Sequence, residues 1–366
     1  MLTAGPLRLD PHRRTVTVDD RVVQLSAIAM GSWLVLYGCW QVFRWTPGDR
    51  PVVGDLLLYP TSAAATWAAW RASQRCSGSP RLRSAWRIIA LAMAAMSCGG
   101  IAQTVYEAQN QAPFPSVADV FYLSFYPLLP WGLLRFAVGH RSLGERVRLG
   151  LDLAVVAIGS SSVVLFLVLG PTVVAGSPTL LEGAFSVAYP VGDVVLLIGL
   201  ASVLVREADP SARRALWFLG AGLVLYVIGD VIYGYISLHS TYQGGDPVDT
   251  FWVSAVALWA VGAAAQLGKD APCPTVIASD LPRSSWAPYI GAGVGFAVLI
   301  FVQRNDPFFP GMSVSLIAAA IALLVAARQF LAHRDLIAMQ QKASYESLHD
   351  VLTGLPNRRQ LISDLT

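Results

Sequence analysis

The sequence predicts an all-α polytopic membrane protein with about ten transmembrane helices. Hydrophobic residues make up 55% of its 366 residues and charged residues only 13%, about half the charged fraction of an ordinary soluble domain. The apolar residues are gathered into ten segments, each close to the roughly 20 residues that a helix needs to cross a bilayer. Lys and Arg are concentrated in alternate connecting loops. These observations make the lipid bilayer the first expected partner of the chain.

The ten predicted spans follow a polar and basic tail over residues 1–22, which is expected to be cytoplasmic. Their bounds are set by the polar loops between them. The spans are predicted at 24–43, 53–71, 87–107, 117–138, 149–170, 185–205, 214–237, 248–268, 286–303 and 311–331.

The distribution of positive charge predicts the orientation of these spans. With the N-terminus in the cytoplasm, all but three of the 26 Lys and Arg residues fall on the inside, the exceptions being Arg44, Arg50 and Arg304. This asymmetry is the positive-inside signal, and an even number of spans returns the C-terminus to the cytoplasm. The expected location is the cytoplasmic (inner) membrane of a bacterium.

The chain also repeats part of its own pattern. The third and seventh spans carry Gln103-x-x-Tyr106 and Asp230-x-x-Tyr233 at matching positions. The helix after each of them begins in a similar way, with DVFYLSF at Asp119 and DTFWVSA at Asp249. We therefore predict a bundle of repeated helical hairpins.

Acidic and aromatic residues recur near one end of the spans, and they form the predicted ligand site. An ionisable group inside a span usually faces the bundle interior or a watery cavity. Acids surrounded by aromatic rings suit a cationic or amine-bearing ligand, and a proton relay is an equally open use. The candidate ligand-binding residues are Asp193, Asp230, Gln103, Asp119, Tyr126, Tyr189, Tyr233 and Trp252.

Structural roles compete with this interpretation. Asp55, Asp119 and Asp249 stand near helix starts, where an Asp caps free N–H groups. Tyr and Trp at this level are also typical of the interfacial aromatic belt. For Asp193 and Asp230, ligand binding and hydrogen bonding between helices remain alternatives of equal weight.

Beyond the last span, residues 332–349 are predicted to continue as a cytoplasmic signalling helix. A heptad seam would join two copies in a weak parallel coiled coil, and the alternative is a solvated connector. No Pro- or Gly-rich linker interrupts this stretch, so it is expected to be stiff. The residues predicted to couple signal to output are Leu331, Ala338, Tyr345, Leu348 and Asp350.

The last part of the chain carries a recognisable motif. From Asp350 to Arg359 it reads D-V-L-T-G-L-P-N-R-R. This run resembles the opening motif of the GGDEF (diguanylate cyclase) family, in which it links an incoming signalling helix to the cyclase domain. The local chemistry agrees, because Gly354 and Pro356 punctuate the chain and Pro356 suits the first turn of a new helix. Residues 350–366 are therefore expected to be the start of an α/β GGDEF domain.

The resemblance implies an output function. Family members make cyclic di-GMP from two GTP molecules with Mg2+, as dimers, and many carry a further EAL phosphodiesterase domain. The family's metal-binding Asp, guanine contacts and GG(D/E)EF loop lie well downstream of the opening motif. We accordingly expect this chain to be truncated just after the domain begins, and to make no cyclic di-GMP by itself.

The predicted function is that of a membrane sensor, residues 23–331, which acts on a cytoplasmic cyclase in response to an unknown small-molecule or membrane signal. The expected partner is a second copy of the chain, joined through the signalling helix. No cofactor, metal site or nucleic-acid binding is expected within these residues, because the five His and four Cys are scattered. Two alternatives remain, a ten-helix small-solute transporter and a plain membrane anchor for the cyclase.

Overall fold

The protein is described by a computed structural model that covers most of the predicted helices. The described residues are 18–43, 50–76, 78–111, 113–136, 143–205, 212–267, 311–349 and 355, with 289, 292–293, 295–297 and 299–300. Within them the chain is helical and contains no β-strand, which confirms the all-α class. The helices are α1 (Val18–Phe43), α2 (Arg50–Arg75), α3 (Pro80–Ala108), α4 (Val117–Leu134), α5 (Leu143–Val164), α6 (Gly170–Ala175), α7 (Leu180–Val205), α8 (Arg213–His239), α9 (Asp249–Leu267) and α10 (Gly311–Leu348).

Local sequence explains several of the helix boundaries. At α3, the Ser79 side chain accepts a hydrogen bond from the Leu82 N–H, and Pro80 follows it in the first turn. At α4, Ser116 and Asp119 form a reciprocal capping box. Between α5 and α6 the chain stays helical but widens into one π turn, Leu165–Leu169, just before Pro171, which has no N–H to donate to the preceding turn.

Eight helical stretches of the described chain are long and apolar enough to cross a membrane. They support a multi-pass membrane protein and match eight of the ten predicted spans. The stretches are Arg21–Phe43, Pro80–Ala108, Val117–Leu134, Gly150–Val174, Leu180–Ser202, Arg213–His239, Asp249–Leu267 and Ser315–Ala338.

The two other predicted spans have different outcomes. Span 53–71 lies within α2, which is helical over 26 residues but is not among the eight apolar stretches. Charged and hydroxyl residues such as Asp55, Arg71 and Thr61 reduce its apolarity. Span 286–303 falls mostly outside the described residues. The count of ten therefore remains a prediction.

The chain divides into two compact units. The first comprises residues 1–139 and 164–284, and the second comprises residues 140–163 and 285–366. The sequence predicts one sensor domain over 23–331, whereas the structure places most of α5 and all of α10 in the second unit. The break falls at the end of α5, next to the π turn.

Six helices of the first unit close a ring. Each of α2, α3, α4, α7, α8 and α9 packs against the next in that order, and α9 returns to pack against α2. Helix α1 lies against α9. The core of this ring is rich in aromatic residues, among them Trp86, Phe125, Tyr226 and Trp259, all of them buried.

In the second unit, Gly295 lies in close contact with both α5 and α10. A methyl group added at Gly295 would lie 2.9 Å from Ile321 Cδ1 on α10 and 3.1 Å from Gly159 Cα on α5. Helix α10 continues without interruption for 38 residues. It covers the predicted last span, 311–331, and stays helical through most of residues 332–349.

Candidate functional site

The repeated pattern of the sequence corresponds to two successive three-helix sets in the ring. One set is α2–α3–α4 and the other is α7–α8–α9, with the same order of packing in each. Asp119 and Asp249 stand in the first turns of α4 and α9, at equivalent places. The helix ends that meet here, at the loops 109–116 and 240–248, form one end of the ring, which we call the loop end.

Three Gly-Asp pairs place carboxyl groups near the loop end. They are Gly54-Asp55 on α2, Gly192-Asp193 on α7 and Gly229-Asp230 on α8. In each pair the glycine allows a neighbouring element to come very close. A methyl group at Gly54 would lie 2.9 Å from the Gly245 nitrogen, one at Gly229 would lie 2.9 Å from Trp252 Nε1, and one at Gly192 would overlap the Tyr126 ring. At the Gly229-Asp230 pair, the Asp230 carboxyl group accepts a hydrogen bond from the same Trp252 Nε1 that packs against the glycine.

Asp230 is the centre of the arrangement. The Tyr126 hydroxyl donates to its Oδ2 at 2.8 Å, and Trp252 Nε1 donates to its Oδ1 at 2.7 Å. These bonds join α8 to α4 and to α9. The positions of both donors depend on the neighbouring glycines, since Tyr126 packs on Gly192 and Trp252 packs on Gly229.

Asp193 lies beside Asp230. Its side chain is within hydrogen-bonding reach of the Asp230 carboxyl group and is only 3% exposed. Asp193 Oδ1 has no hydrogen-bond partner in the part of the chain that the structure describes. A buried acceptor without a donor is unfavourable in a folded protein, so this atom requires an explanation.

Asp119 joins the same network and also caps α4. Its Oδ2 accepts from the Ser116 N–H at 2.7 Å, while its Oδ1 accepts from the Tyr189 hydroxyl at 2.6 Å. The Tyr189 ring meets the Tyr126 ring edge to face, with centroids 6.0 Å apart. Asp119 therefore caps α4, as the capping alternative predicts, and at the same time accepts a hydrogen bond from Tyr189.

Tyr233 completes the connection on the other side of Asp230. Its ring centroid is 5.7 Å from that of Trp252 and 5.0 Å from that of Tyr242. We call the connected set the acid–aromatic network. Its members are Asp119, Tyr126, Tyr189, Asp193, Tyr226, Asp230, Tyr233 and Trp252.

Seven of the eight predicted site residues belong to this network, and Gln103 does not. Gln103 Nε2 donates to Glu107 Oε1 at 3.0 Å within α3, beside a second group of acids. There Thr104 Oγ1 lies 2.6 Å both from Asp55 Oδ2, to which it donates, and from the Tyr59 hydroxyl. Gln103 and Asp230 occupy equivalent positions in the repeat, so their separation follows from the two-set arrangement of the ring.

Asp249 is held at the start of α9 by its own loop. Its Oδ1 accepts from the Tyr242 hydroxyl at 2.8 Å and its Oδ2 accepts from the Gly245 N–H at 2.6 Å. Burial is the main cause that raises the pKa of Tyr242 above its ordinary value, and the nearby Asp249 carboxylate acts in the same direction. The phenol therefore stays protonated and remains a donor.

Sequence reasoning did not include three of these residues, Tyr226, Glu107 and Tyr242. Tyr226 is buried, and its ring lies 6.4 Å from that of Tyr126. A signal for much of the arrangement was nevertheless present, because the Gly-Asp pairs recur as VGDLL, VGDVV and IGDVI. A small residue followed by an acid within an apolar run indicates a close helix contact next to a buried polar group.

The carboxylates make this site one of hydrogen-bond acceptors. Among the described residues, the hydrogen bonds to its carboxylates come from hydroxyl, indole, amide and backbone N–H groups, all of them neutral. No group of three or more His, Cys, Asp or Glu residues suited to a metal ion occurs among the described residues. The arrangement can accept hydrogen bonds and attract positive charge at the loop end of the ring.

The second unit contains a different polar contact. The Arg328 guanidinium on α10 forms an ion pair with Asp152 on α5, and both side chains are largely buried, at 11% and 8% exposed. Arg328 Nη1 also donates to the Tyr289 hydroxyl at 2.6 Å, and the guanidinium lies over the Tyr289 ring, 4.7 Å from its centroid. Gln329 Nε2 donates to the same hydroxyl at 2.7 Å. We call this contact the α10 anchor.

The predicted coupling residues lie beyond the α10 anchor. Leu331 is partly buried and Ala338 is exposed on α10. The helix continues through Tyr345 to Leu348, but the side chains of these two residues, and the whole of Asp350, are outside what the structure describes. The motif over 350–359 is likewise outside it, except for Leu355.

In comparisons with known proteins, no family profile, curated protein or solved structure matches the chain.

Proposed function

We propose that this chain is the membrane-embedded input module of a cyclic di-GMP signalling protein. In this proposal the six-helix ring receives the signal at its loop end, and α10 passes the response to a cytoplasmic diguanylate cyclase domain that begins at the motif over 350–366. The proposed location is the inner membrane of a bacterium, with both termini in the cytoplasm. GTP and Mg2+ would be bound by the cyclase domain and not by the ring.

One observation carries this proposal more than any other. Helix α10 runs unbroken from Gly311 to Leu348, through the apolar stretch Ser315–Ala338, and ends two residues before the GGDEF-like motif. A continuous helix transmits rotation or translation along its axis, at 1.5 Å per residue. A floppy linker at this place would not do so.

The coupling scheme follows from this geometry. A signal bound to the ring would favour one of two arrangements of the helices, by as much as its affinity differs between them. Two copies of α10, paired along their cytoplasmic halves, would then bring two cyclase domains together or keep them apart. The pairing surface is expected on the face that carries Leu331 and Ala338.

The first test measures the native protein and its product. An antibody to the N-terminal tail gives the mass of the polypeptide in native membranes, and the same membranes are assayed for conversion of GTP to cyclic di-GMP. A species well above 39.2 kDa with this activity supports the proposal. A species at that mass without activity overturns it.

The second test interrupts α10. Ala338→Pro breaks the helical hydrogen-bond ladder and costs about 3 kcal/mol locally, whereas Ala338→Ser at the same exposed position keeps the helix. We expect the proline variant to produce cyclic di-GMP at a rate that no longer depends on the ring, and the serine variant to behave as the wild type. Unchanged regulation in the proline variant would exclude α10 as the connection.

A transporter-like function is the second candidate, and the buried Asp193–Asp230 contact is the observation that favours it. Acids paired within a helical bundle also occur in proton- or cation-coupled carriers. Substrate flux into vesicles that contain the protein, lost in Asp230→Asn, would establish this alternative. A ring that serves only as an anchor would show neither flux nor any effect on the output.

A further inference from the structure

Two neighbouring acids in the ring, Asp193 and Asp230, have no positively charged partner among the residues that the structure describes. Asp193 and Asp230 are within hydrogen-bonding reach of each other. Asp230 accepts from Tyr126 and Trp252, both of them neutral donors. Two carboxylates in such contact repel each other unless a positive charge or a proton is shared between them.

The pair also has unused capacity to accept hydrogen bonds. Each carboxylate oxygen can accept two, and each oxygen of Asp230 accepts one hydrogen bond from the described residues. Asp193 Oδ1 has no hydrogen-bond donor among the described residues, although only 3% of the surface of Asp193 is exposed. A ligand that carries several N–H donors would satisfy these acceptors.

Aromatic rings surround the pair. Tyr126 packs against Tyr189 and Tyr226, with ring centroids 6.0 and 6.4 Å apart, and Trp252 lies on the other side of Asp230. The faces of such rings attract cations that have lost part of their hydration. The acids supply the charge and the rings supply an environment that favours an organic cation over a fully hydrated metal ion.

The pair is connected to the surface at the loop end of the ring. Asp230, Tyr189 and Trp252 each keep part of their surface accessible. Tyr233, whose ring packs beside that of Trp252, is 38% exposed. The buried Asp193 therefore lies behind a set of partly accessible side chains. A small molecule would reach the carboxyl pair by way of these side chains.

We propose that the Asp193–Asp230 pair, with Tyr126, Tyr189 and Trp252, binds the ammonium group of a small organic amine. One carboxylate forms the ion pair, the free Asp193 oxygen accepts a further N–H, and the aromatic rings cover the alkyl part. The identification of this amine with the signal rests on the proposed function, but the binding itself does not.

The contrast within the same chain supports this assignment. Asp152, buried in the second unit, is neutralised by an arginine of its own chain. Asp193 is buried to a similar degree, yet the described residues donate to the Asp193–Asp230 pair only from neutral groups. A charged ligand supplies in the ring what Arg328 supplies in the second unit.

The experiment measures thermal unfolding of the purified full chain in detergent, with propylammonium chloride as the probe. Sodium chloride at equal ionic strength is the reference for general salt effects. We expect the midpoint to rise by several degrees and to saturate with propylammonium, because a ligand that binds the folded state stabilises it by mass action. Asp193→Asn and Asp230→Asn should each abolish the saturable rise.

Asp246→Asn is the matched control. Asp246 is an acid of the 240–248 loop that accepts from the Gln243 N–H and lies outside the carboxyl pair, so its variant should respond to propylammonium as the wild type does. If the Asn variants at 193 and 230 fold poorly, Trp252→Phe provides a second route. It keeps both acids, and the saturable quenching of indole fluorescence by propylammonium should be weakened in this variant.

Three outcomes overturn the proposal. The first is the absence of a saturable rise in the wild type, the second is an equal rise with sodium chloride, and the third is an unchanged rise in both Asn variants. A failure of the proposed sensory function gives a different result from a failure of amine binding. Propylammonium would then bind and require both acids, but cyclic di-GMP output of the native protein would not respond to it.

Discussion

Asp230 in the ring is held by a phenol and an indole, whereas Asp152 in the second unit is held by a guanidinium. Both acids lie within apolar helices, where an ionised side chain is costly. In the second unit the cost is offset inside the protein, because Arg328 brings a full positive charge to Asp152. In the ring the neutral donors stabilise the carboxylate without neutralising it.

This difference indicates two kinds of polar contact. The α10 anchor is complete in itself, with charge, ring and hydrogen-bond partners all supplied by the chain. Such a contact fixes the position of α10 relative to α5. The acid–aromatic network keeps an unpartnered acceptor at Asp193, and it is therefore the place where an additional positive group would have the largest effect.

The largest expected effect is at the α10 anchor. Arg328→Ala leaves Asp152 buried and without its counter-charge, which typically costs about 3–5 kcal/mol of stability. Thermal unfolding in detergent measures the loss. Arg334→Ala, six residues along the same helix at an exposed position, should change stability by no more than about 0.5 kcal/mol.

A double variant at Arg328 and Asp152 tests whether the ion pair is the cause of this loss of stability. Replacing Arg328 and Asp152 together by Met and Leu removes both charges, so most of the lost stability should return. If the double variant were as unstable as Arg328→Ala, the ion pair would not be the reason for the loss. Packing around Tyr289 would then be the more important contribution.

The second prediction concerns the close contact next to Asp193. In Gly192→Ala, the added methyl group overlaps the Tyr126 ring, and overpacking of this kind costs about 1–3 kcal/mol. The matched change is Gly38→Ala in α1, where nothing lies within 4 Å of the added methyl group. Because alanine favours helix by up to about 1 kcal/mol over glycine, this variant should be neutral or more stable, and equal losses at both sites would contradict the packing argument.

The third prediction removes a neutral donor from Asp230. Tyr126→Phe deletes the hydroxyl that donates to Asp230 Oδ2. Hydrogen bonds between membrane helices are worth about 0.6 kcal/mol on average and up to about 1.7, so the loss should be smaller than at the α10 anchor. A double-mutant cycle with Asp230→Asn measures the coupling, and a coupling near zero would show that the bond contributes little.

The smallest effect is expected at Tyr242, which lies in the loop before α9. Its pKa in the folded protein is raised mainly by burial, so the folded state holds the phenolic proton more tightly than the unfolded state. Stability should therefore be independent of this group below about pH 10, the ordinary value for tyrosine, and should fall as pH rises above it. Tyr242→Phe should reduce this alkaline loss, and an identical pH profile in the variant would contradict the assignment.

Much of the architecture could be predicted because it depends on local composition. Runs of about 20 apolar residues must form helices in a bilayer, since only helices and closed barrels satisfy their own backbone groups there. The repeat of Asp119 and Asp249 correctly indicated equivalent helices, and seven predicted site residues lie in one network. The α2 region was harder, because Asp55, Pro60 and Arg71 lower its apolarity while its neighbours α3 and α9 still enclose it.

The sequence by itself determined the helices, the spacing of acids and aromatic residues along them, and the motif at Asp350–Arg359. Periodicity and hydropathy are properties of a single segment, and the chain carries them before it folds. Only the tertiary structure decided that Asp230 meets Tyr126 and Trp252, that Gln103 turns instead to Glu107, and that Asp152 is neutralised by Arg328. These contacts join residues up to 176 positions apart, and they depend on which helices are neighbours in the ring and in the second unit, which no single segment encodes.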